Sequence, residues 1–332
     1  MLCLGIEGTA HTVGVGIVDE QGSVLSNIIK MYRPPTGGIH PREAANHHAA
    51  HIASVIKKAL TQSGKKMTDI DLVGFSIGPG LGPCLRTAAT AARALALSLH
   101  VPLMGVNHCI AHLEIGKVIT KASDVVLVYV SGGNTQIIAF SNGKYRVFGE
   151  TLDIGIGNCL DKFGRMLGLP FPSGPVIEKM AKTGEKYIHL PYSVKGMDVA
   201  FSGILTAAKN LIEKEKPEDL CYSLQETCFA MLTEVTERAM AHTEKKEVLL
   251  GGGVACNKRL QEMITLMARA RNAHFFCPPP DLLVDNGAMI AWTALLMHQG
   301  GCQMGIKDTE VRQNFRVDEV EVMWKDVITA RS

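Results

Sequence analysis

The chain has 332 residues, of which 46% are hydrophobic and 5% aromatic, and its 34 Lys and Arg nearly balance its 32 Asp and Glu. A chain of this length exceeds the size at which a single hydrophobic core stops growing, so two lobes are expected. The apolar content excludes a disordered chain. The even charge excludes nucleic-acid binding by overall charge alone, so such a partner would need a local basic patch.

Cysteine usage and the absence of long apolar runs indicate the compartment. Nine cysteines are scattered from Cys3 to Cys302, and no two of them form a Cys-x-x-Cys pair. This pattern suits neither a disulfide framework nor a zinc knuckle. Met1 leads directly into a strand-like stretch without a leader-like segment, and no apolar run reaches membrane-spanning length. We therefore expect a soluble, cytoplasmic protein that does not act on a membrane.

Two parts of the sequence open alike. Residues 3–26 predict a strand, a Gly-containing turn, a second strand, a Gln21-Gly22 hairpin and a third strand. From Val125, the segments VVLVYV, SGGN, TQIIAF and YRVFGE repeat that plan, with Asn142-Gly143 at the hairpin. The repeat predicts an α/β fold of two related lobes. The first lobe would span residues 1–120 and carry a metal-binding helix. The second would span 121–332, with an insertion near 151–205 of loops around one helix.

Each half continues with a buried strand, a Gly-rich turn and a helix. The segments are DLVGFSIGPGLG before a helix at 86–99, and EVLLGGGVACN before a helix at 257–269. Glycine lets a backbone approach an anion closely, and the N–H groups of a helix start point toward it. Because four Gly turns recur at matching places in the two halves, phosphate or ligand binding is favoured over simple tight turning.

The segment VPLMGVNHCIAHLEIG predicts a metal-binding helix. A short strand precedes Asn107, a good N-cap, and the helix then carries His108 and His112. A spacing of four places both imidazoles on one helical face, where they can share an ion. Asp285, in the loop before an Ala-rich helix, is the best third ligand, although its alternative role is the N-cap of that helix. Tyr129, at a strand end, is a candidate fourth ligand. Such a set favours iron or zinc over magnesium.

Two other interpretations of the His-x-x-x-His spacing must be weighed. His47 and His51 have the same spacing in EAANHHAAHIASVIKK, so spacing alone does not choose between the pairs. They lie inside a long amphipathic helix, which favours a packing or surface role. A zinc peptidase would need Glu after the first His, but Cys109 stands there after His108. Without that general base, peptide hydrolysis loses its mechanism.

Taken together, the motifs resemble the universal tRNA N6-adenosine threonylcarbamoyltransferases, formerly called O-sialoglycoprotein endopeptidases. The resemblance spans nearly the whole chain, and GVNHCIAH with YVSGGNTQ is its most specific part. The start EGTAHT is similar to the archaeal and eukaryotic branch, which works inside the KEOPS complex. The remaining segments that carry the resemblance are GIEGTAHTVGVGIV, GGIHPREAANHH, GPGLGPCLR, GETLDIGIGN, GMDVAFSG, LGGGVACN and DNGAMIA.

The resemblance implies a duplicated actin-like and sugar-kinase-like fold of two lobes (the ASKHA, ribonuclease H-like class). It implies transfer of a threonylcarbamoyl group from threonylcarbamoyl-AMP to the N6 amine of the adenosine 3′ of the anticodon in ANN-decoding tRNAs. The implied partners are tRNA, a small atypical protein kinase and small accessory or dimerisation subunits of KEOPS. One metal ion per subunit is implied, with Fe²⁺ expected and zinc or magnesium as alternatives. The nucleotide ligand would be threonylcarbamoyl-AMP or ATP.

The resemblance also assigns roles to individual residues. Its metal ligands fall on His108, His112, Tyr129 and Asp285, which sides against the His47 pair. Its substrate contacts fall on Tyr129, Val130, Ser131, Gly132, Gly133, Asp161, Gly174, Glu178 and Asn257. Ser131 to Gly133 would offer backbone donors to an oxyanion or phosphate. Asp161 and Glu178 would suit ribose hydroxyls or an amine, and both could equally be helix-surface charges.

Two further classes of function remain open from the sequence. An ATPase or small-molecule kinase would need Mg²⁺ and a carboxylate aimed at the γ-phosphate, and Glu7 could serve. A non-enzymatic assembly subunit would not need the metal ligands. Glu7 and His11 are candidate proton acceptors for acyl transfer, and we assign no catalytic base.

Overall fold

The computed structural model describes residues 1–34 and 38–325. Its strands are β1 (Leu2–Glu7), β2 (Thr12–Asp19), β3 (Val24–Met31), β4 (Leu72–Gly78), β5 (Leu103–Asn107), β6 (Val125–Val130), β7 (Thr135–Ser141), β8 (Lys144–Glu150), β9 (Val194–Lys195), β10 (Asp198–Val199), β11 (Glu247–Gly251) and β12 (His274–Phe276). Its α-helices are α1 (Pro41–Ser63), α2 (Gly82–Leu99), α3 (His108–Thr120), α4 (Ile156–Met166), α5 (Gly174–Ala181), α6 (Ser202–Lys209), α7 (Pro217–Thr243), α8 (Lys258–Ala270), α9 (Pro280–Leu283) and α10 (Gly287–Gln299). No helix among the described residues is long and apolar enough to cross a membrane.

The chain forms two compact units. Unit 1 contains residues 1–119 and the described residues from Val284 onward, and unit 2 contains residues 120–283. The sequence predicted that all of 121–332 belongs to the second lobe, and residues 326–332 of that range lie outside the described part. The described residues from Val284 onward instead belong to unit 1. The difference arises because α10 packs against β1, β2 and β4 of unit 1.

Both units contain a sheet of the same topology. The strand order is β3-β2-β1-β4-β5 in unit 1 and β8-β7-β6-β11-β12 in unit 2. In unit 1, β2 pairs antiparallel with β1 and β3, whereas β4 pairs parallel with β1 and β5. In unit 2, β7 pairs antiparallel with β6 and β8, whereas β11 pairs parallel with β6 and β12. The strand-hairpin-strand repeat predicted from sequence is therefore present in both sheets.

The unit 1 sheet is covered on both faces. Leu4 and Ile6 point into a core shared with α1 and α2. The alternation of side chains along a strand directs Gly5 to the opposite face, where α10 packs. There an added Cβ on Gly5 would lie 2.2 Å from the backbone N of Ala291. Glycine in the strand thus lets α10 approach the sheet backbone directly, and this approach ties the C-terminal part of the chain to unit 1.

The insertion in unit 2 holds more structure than loops around one helix. It contains α4, α5 and the β9–β10 hairpin, and α6 begins at Ser202 near its end. Asp153 organises this region, because its carboxylate accepts hydrogen bonds from the amides of Phe201 and Ser202, each 2.9 Å long. Gly, Pro and Ser content alone was a poor guide here, because the buried faces of these short helices complete the core of unit 2.

Candidate metal centre and ligand loops

Helix α3 carries the two predicted metal-binding histidines directly after a strand. Asn107 ends β5, and its side-chain oxygen accepts hydrogen bonds from the amides of Cys109 (3.0 Å) and Ile110 (3.2 Å). This is the predicted N-cap, which satisfies amides that otherwise lack an intrahelical partner. The cap fixes the start of α3 at His108, so His108 and His112 occupy successive turns with ring centroids 4.9 Å apart.

His108, His112 and Asp285 converge on one point in unit 1. The Nε2 atoms of both histidines lie 3.4 Å from Oδ1 of Asp285. One ligand atom from each residue lies within 4.8 Å of the others, and no other group of three His, Cys, Asp or Glu among the described residues meets this condition. Separations of this size suit ligands that share an ion better than direct hydrogen bonds.

Asp285 does not cap the helix that follows it. The N-cap of α10 is Asn286, whose side-chain oxygen accepts a hydrogen bond of 2.9 Å from the amide of Met289. The alternative role considered for Asp285 in the sequence is therefore filled by its neighbour. Its carboxylate instead faces the two imidazoles.

Glu7 orients His108 from the side opposite Asp285. Oε2 of Glu7 lies 3.0 Å from Nδ1 of His108, and the Glu7 side chain is fully buried. Oε1 of Glu7 accepts from the amide (2.8 Å) and the hydroxyl (2.6 Å) of Thr9. A carboxylate acts only as an acceptor, so Nδ1 carries a proton toward Glu7, and Nε2 faces Asp285, where a metal ion can take the place of its proton. This carboxylate–histidine arrangement is typical of protein metal sites.

The electrostatics of the centre suit a cation. Burial alone would lower the pKa of His108, but the charges of Glu7 and Asp285 outweigh it and raise the pKa to about 10. Burial raises the pKa of Asp285, yet the positive charge of His108 holds it well below its usual range. Burial lowers the pKa of His112. The carboxylates of buried Glu7 and partly buried Asp285 thus stabilise one positive charge between them, and a metal ion can supply that charge in place of a proton.

The rival pair His47 and His51 lies on α1. Among the described residues, it is not part of a group of three ligand atoms that lie within 4.8 Å of one another. Both side chains are partly buried, and their ring centroids are 4.3 Å apart. His48 between them is buried, and its Nε2 lies 3.0 Å from the carbonyl oxygen of Ala10. The structure therefore places an acidic ligand, Asp285, beside His108 and His112. It places no such ligand in a metal-binding group with His47 and His51 among the described residues.

The predicted ligand loop of unit 2 follows β6. Tyr129 and Val130 end this strand and are fully buried. The next turn closes through a 2.8 Å hydrogen bond from the amide of Ser131 to the carbonyl of Asn134. Gly132 and Gly133 are exposed, and an added Cβ on either would meet no atom closer than 3.8 Å. Within the described residues their amides donate to no acceptor, so the turn presents backbone donors to an open face.

The other predicted substrate contacts of unit 2 hold the chain in place. Asn257 caps α8, where its side-chain oxygen accepts from the amide of Arg259, and its amide nitrogen donates to Gln225 over 2.8 Å. Oε1 of Glu178 accepts from the amide of Lys258 over 2.9 Å. In the same unit, Oδ1 of Asp161 accepts from the amide of Ser173, directly before Gly174 at the start of α5. These side chains position α5 and α8 as well as being candidates for substrate binding.

Gln225 was not identified from sequence, because nothing within α7 marks it as the partner of Asn257.

The Gly-rich turn before α2 is occupied by the protein's own C-terminal segment. An added Cβ on Gly78 would lie 1.9 Å from the carbonyl oxygen of Arg312, and one on Gly82 would lie 2.7 Å from the side chain of Gln313. The amide of Gly80 donates to the carbonyl of Gln313 over 3.1 Å. In this turn the glycines admit protein backbone, so it does not present the open phosphate site expected from the sequence.

Comparisons with known proteins agree with the motifs. Residues 23–292 match the family model described as tRNA N6-adenosine threonylcarbamoyltransferase. The enzyme of that name from Thermococcus kodakarensis is 60% identical over 98% of this chain and all of the relative. A probable bifunctional tRNA threonylcarbamoyladenosine biosynthesis protein from Methanocaldococcus jannaschii is 57% identical over 98% of this chain, which spans 60% of that relative's length.

Solved structures with low sequence identity share the fold. HypF from T. kodakarensis has a TM-score of 0.66 at 15% identity, and the match covers 93% of this chain and 49% of HypF. A ROK family glucokinase from Streptomyces griseus has a TM-score of 0.50 at 13% identity, and the match covers 90% of this chain and all of the glucokinase. The predicted α/β, sugar-kinase-like fold class is thereby confirmed. From the family model and the relatives of 57 to 60% identity, the chain belongs to the tRNA N6-adenosine threonylcarbamoyltransferase family.

Proposed function

We propose that this protein transfers the threonylcarbamoyl group from threonylcarbamoyl-AMP to the N6 amine of the adenosine 3′ of the anticodon in ANN-decoding tRNAs. Family membership supports the reaction class. The structural observation that carries the proposal is the buried group of His108, His112 and Asp285, with Glu7 behind it. A structural or assembly role would give no reason to gather two carboxylates and two imidazoles at one largely buried point, because removing charged groups from water is costly without such a use.

The metal centre would be held by His108, His112 and Asp285, and the family resemblance adds Tyr129 as a fourth ligand. Imidazole, phenolate and carboxylate donors suit iron or zinc better than magnesium, and Fe²⁺ is the expected ion. When bound, the ion supplies Lewis-acid polarisation of a carbonyl or phosphate oxygen. Glu7 holds the His108 ring and its tautomer. Because both Glu7 oxygens already accept hydrogen bonds, Glu7 supports the ligand rather than removing the substrate proton.

The substrate would be held by unit 2. The exposed amides of Gly132 and Gly133, with Val130 and Ser131 beside them, suit an oxyanion or a phosphate. Asp161, Gly174, Glu178 and Asn257 would line the nucleotide, with carboxylates suited to ribose hydroxyls or an amine. These residues would bind the mixed anhydride and orient its carbonyl toward the incoming adenine amine, and orientation of this kind contributes strongly to acyl transfer.

The covalent step exchanges one bond to the carbonyl carbon for another. The N6 amine forms a C–N bond to that carbon, the bond to the AMP phosphate oxygen breaks, and AMP leaves with the electron pair. The amine proton passes to an acceptor that we leave unassigned. Because AMP is already a good leaving group, placement of the amine and stabilisation of the developing oxyanion are the main demands on the site.

The proposed partners are tRNA and the KEOPS subunits, among them a small atypical protein kinase and small accessory or dimerisation subunits. The nearly even charge of the chain supports a need for other subunits in tRNA binding. The bifunctional name and greater length of the M. jannaschii relative agree with a function that needs a further domain or subunit.

The test is a reconstitution assay with mass spectrometry of the tRNA. The protein, the other KEOPS subunits, threonylcarbamoyl-AMP and an ANN-decoding tRNA are mixed, with His108→Ala as the test variant and His189→Ala, at an exposed loop position, as the matched control. We expect modified adenosine with the wild type and His189→Ala but not with His108→Ala. If folded, metal-loaded wild type yields no product but hydrolyses ATP, the transferase proposal fails in favour of an ATPase.

A further inference from the structure

A second pair of imidazoles with metal-ligand spacing lies on α1, and the proposed function does not use it. His47 and His51 are one helical turn apart and partly buried. Their ring centroids are 4.3 Å apart, and the ring planes differ by 32°. The rings therefore lie side by side on one face of the helix, as the ligands of a shared ion must.

Hydrogen bonds to backbone carbonyls determine which nitrogen carries the proton in this pair. A carbonyl oxygen only accepts, so a ring nitrogen that faces one must be protonated. Nδ1 of His51 lies 2.8 Å from the carbonyl oxygen of His47, and Nε2 of His51 therefore keeps its lone pair.

The tautomer of His47 follows in the same way from the hydrogen bonds of its neighbour His48. Nε2 of His48 lies 3.0 Å from the carbonyl oxygen of Ala10, so Nε2 carries the proton and Nδ1 of His48 accepts. Nδ1 of His47 lies 3.5 Å from that acceptor and is its donor. His47 therefore also presents an unprotonated Nε2, and the two adjacent rings have the tautomer that a metal ion requires.

Burial and nearby charges disfavour protonation of His47. Burial lowers the pKa of His47, and the nearby His51 and Lys30 lower it further. Burial also lowers the pKa of His48, to about 4. Glu43, one helical turn before His47 on α1, accepts a 2.6 Å hydrogen bond from the hydroxyl of Tyr32. Neutral imidazole is the form that binds metals, and the lowered pKa of His47 favours that form.

We propose that His47 and His51 form a second metal site, which binds a divalent transition-metal ion such as Zn²⁺ through their two Nε2 atoms. Two imidazoles favour zinc, nickel or copper over magnesium or calcium, which prefer oxygen ligands. The carbonyl oxygen of His47 orients the His51 ring and Nδ1 of His48 orients the His47 ring, as outer partners do in known metal sites. With two protein ligands and no carboxylate, this site binds more weakly than the centre on α3 and loses its ion to a chelator first. The inference does not depend on the proposed function.

Calorimetric titration of chelator-stripped, untagged, full-length protein with Zn²⁺ tests the proposal. The wild type should bind two ions. His51→Ala should bind one and lose the weaker event, while His108→Ala should lose the tighter event. His189→Ala should still bind two. If His51→Ala and the wild type bind Zn²⁺ identically, the second site is overturned. If His108→Ala keeps the tighter binding event, only the proposed centre on α3 is contradicted.

A measurement on the wild type keeps the proposal testable if His51→Ala fails to fold. Long-range ¹H–¹⁵N spectra of the imidazoles should show His47 and His51 protonated at Nδ1 before Zn²⁺ is added. On addition of Zn²⁺, their Nε2 resonances should shift together. If these Nε2 resonances do not shift even when Zn²⁺ is added beyond saturation of the tighter site, the two nitrogens are not ligands and the proposal is overturned.

Discussion

Helices α3 and α1 carry the same His-x-x-x-His spacing in different surroundings. On α3, the ring nitrogens of His108 face the carboxylates of Glu7 and Asp285, and burial is nearly complete. On α1, the rings of His47 and His51 face a neighbouring imidazole and a backbone carbonyl and remain partly exposed. Spacing places two imidazoles on one face in both helices. The neighbouring charges then determine whether a cation is needed there.

The largest effect should come from Asp285→Asn, which removes a negative charge from the α3 centre with little change in volume. We expect the protein to lose its metal ion on gel filtration, because two imidazoles alone bind far more weakly than with a carboxylate. Transfer to tRNA should be abolished as a result. Metal content by mass spectrometry and modified adenosine are the readouts, with Asp281→Asn, at an exposed position on the short helix α9, as the control. Full metal content in Asp285→Asn would contradict the ligand role.

Glu7→Gln should have the next largest effect, because it leaves the ligands in place and changes what orients one of them. Loss of an outer-sphere carboxylate costs about 10- to 100-fold in metal affinity. We expect such a loss at the α3 centre and no change in Zn²⁺ binding at His47 and His51. Competition with a chromophoric chelator measures both affinities. The control is Glu20→Gln, at a partly exposed residue that pairs with the N-terminal amine. An unchanged affinity at α3 would show that Glu7 only packs against His108.

A smaller effect is expected from Trp324→Phe, which acts on the far part of α3. The indole Nε1 of Trp324 donates to Oε1 of Glu114 over 2.9 Å, and both side chains are buried. Loss of a buried hydrogen bond to a carboxylate should lower the free energy of unfolding by about 1–3 kcal/mol. Chemical denaturation measures this change.

Val320→Ala is the matched control for Trp324→Phe, because Val320 is also buried in the C-terminal segment. If the two variants lose equal stability but only Trp324→Phe also weakens metal binding, the hydrogen bond orients α3. Equal weakening by both variants would mean that the segment acts by packing alone.

The sequence was sufficient to place α3 but not its surroundings. Asn107, His108 and His112 lie within six consecutive residues, so the cap and the spacing could be recognised directly, and the predicted helix start is confirmed. Helix α2 begins at Gly82, four residues before the predicted Arg86, because Pro83 is well placed in a first turn. Glu7 lies 101 residues from His108 in the chain, and no local pattern records that contact. The covering of the Gly78 turn by Arg312 likewise depends on long-range packing.

The smallest effect should come from Asp153→Asn in unit 2, where hydrogen bonds rather than an imidazolium stabilise a carboxylate. Burial raises the pKa of Asp153, but hydrogen bonds from the hydroxyl of Ser202 and from the amides of Phe201, Ser202 and Ile154 outweigh it and lower the pKa from 3.8 to about 2. Because the carboxylate is largely exposed, we expect only about 1 kcal/mol of lost stability at neutral pH.

The pH dependence gives Asp153→Asn a second readout. A pKa that is lower in the folded state means that the stabilisation is complete above about pH 4 and disappears as the pH falls toward 2. The wild type and Asp153→Asn should therefore differ in denaturation midpoint at pH 7 and converge at low pH. Added salt should change the difference little, because the stabilising partners are backbone and hydroxyl dipoles rather than a cation. A difference that persists at pH 2 would show that the asparagine disturbs the start of α6 for steric reasons, and that charge at Asp153 does not hold the insertion in place.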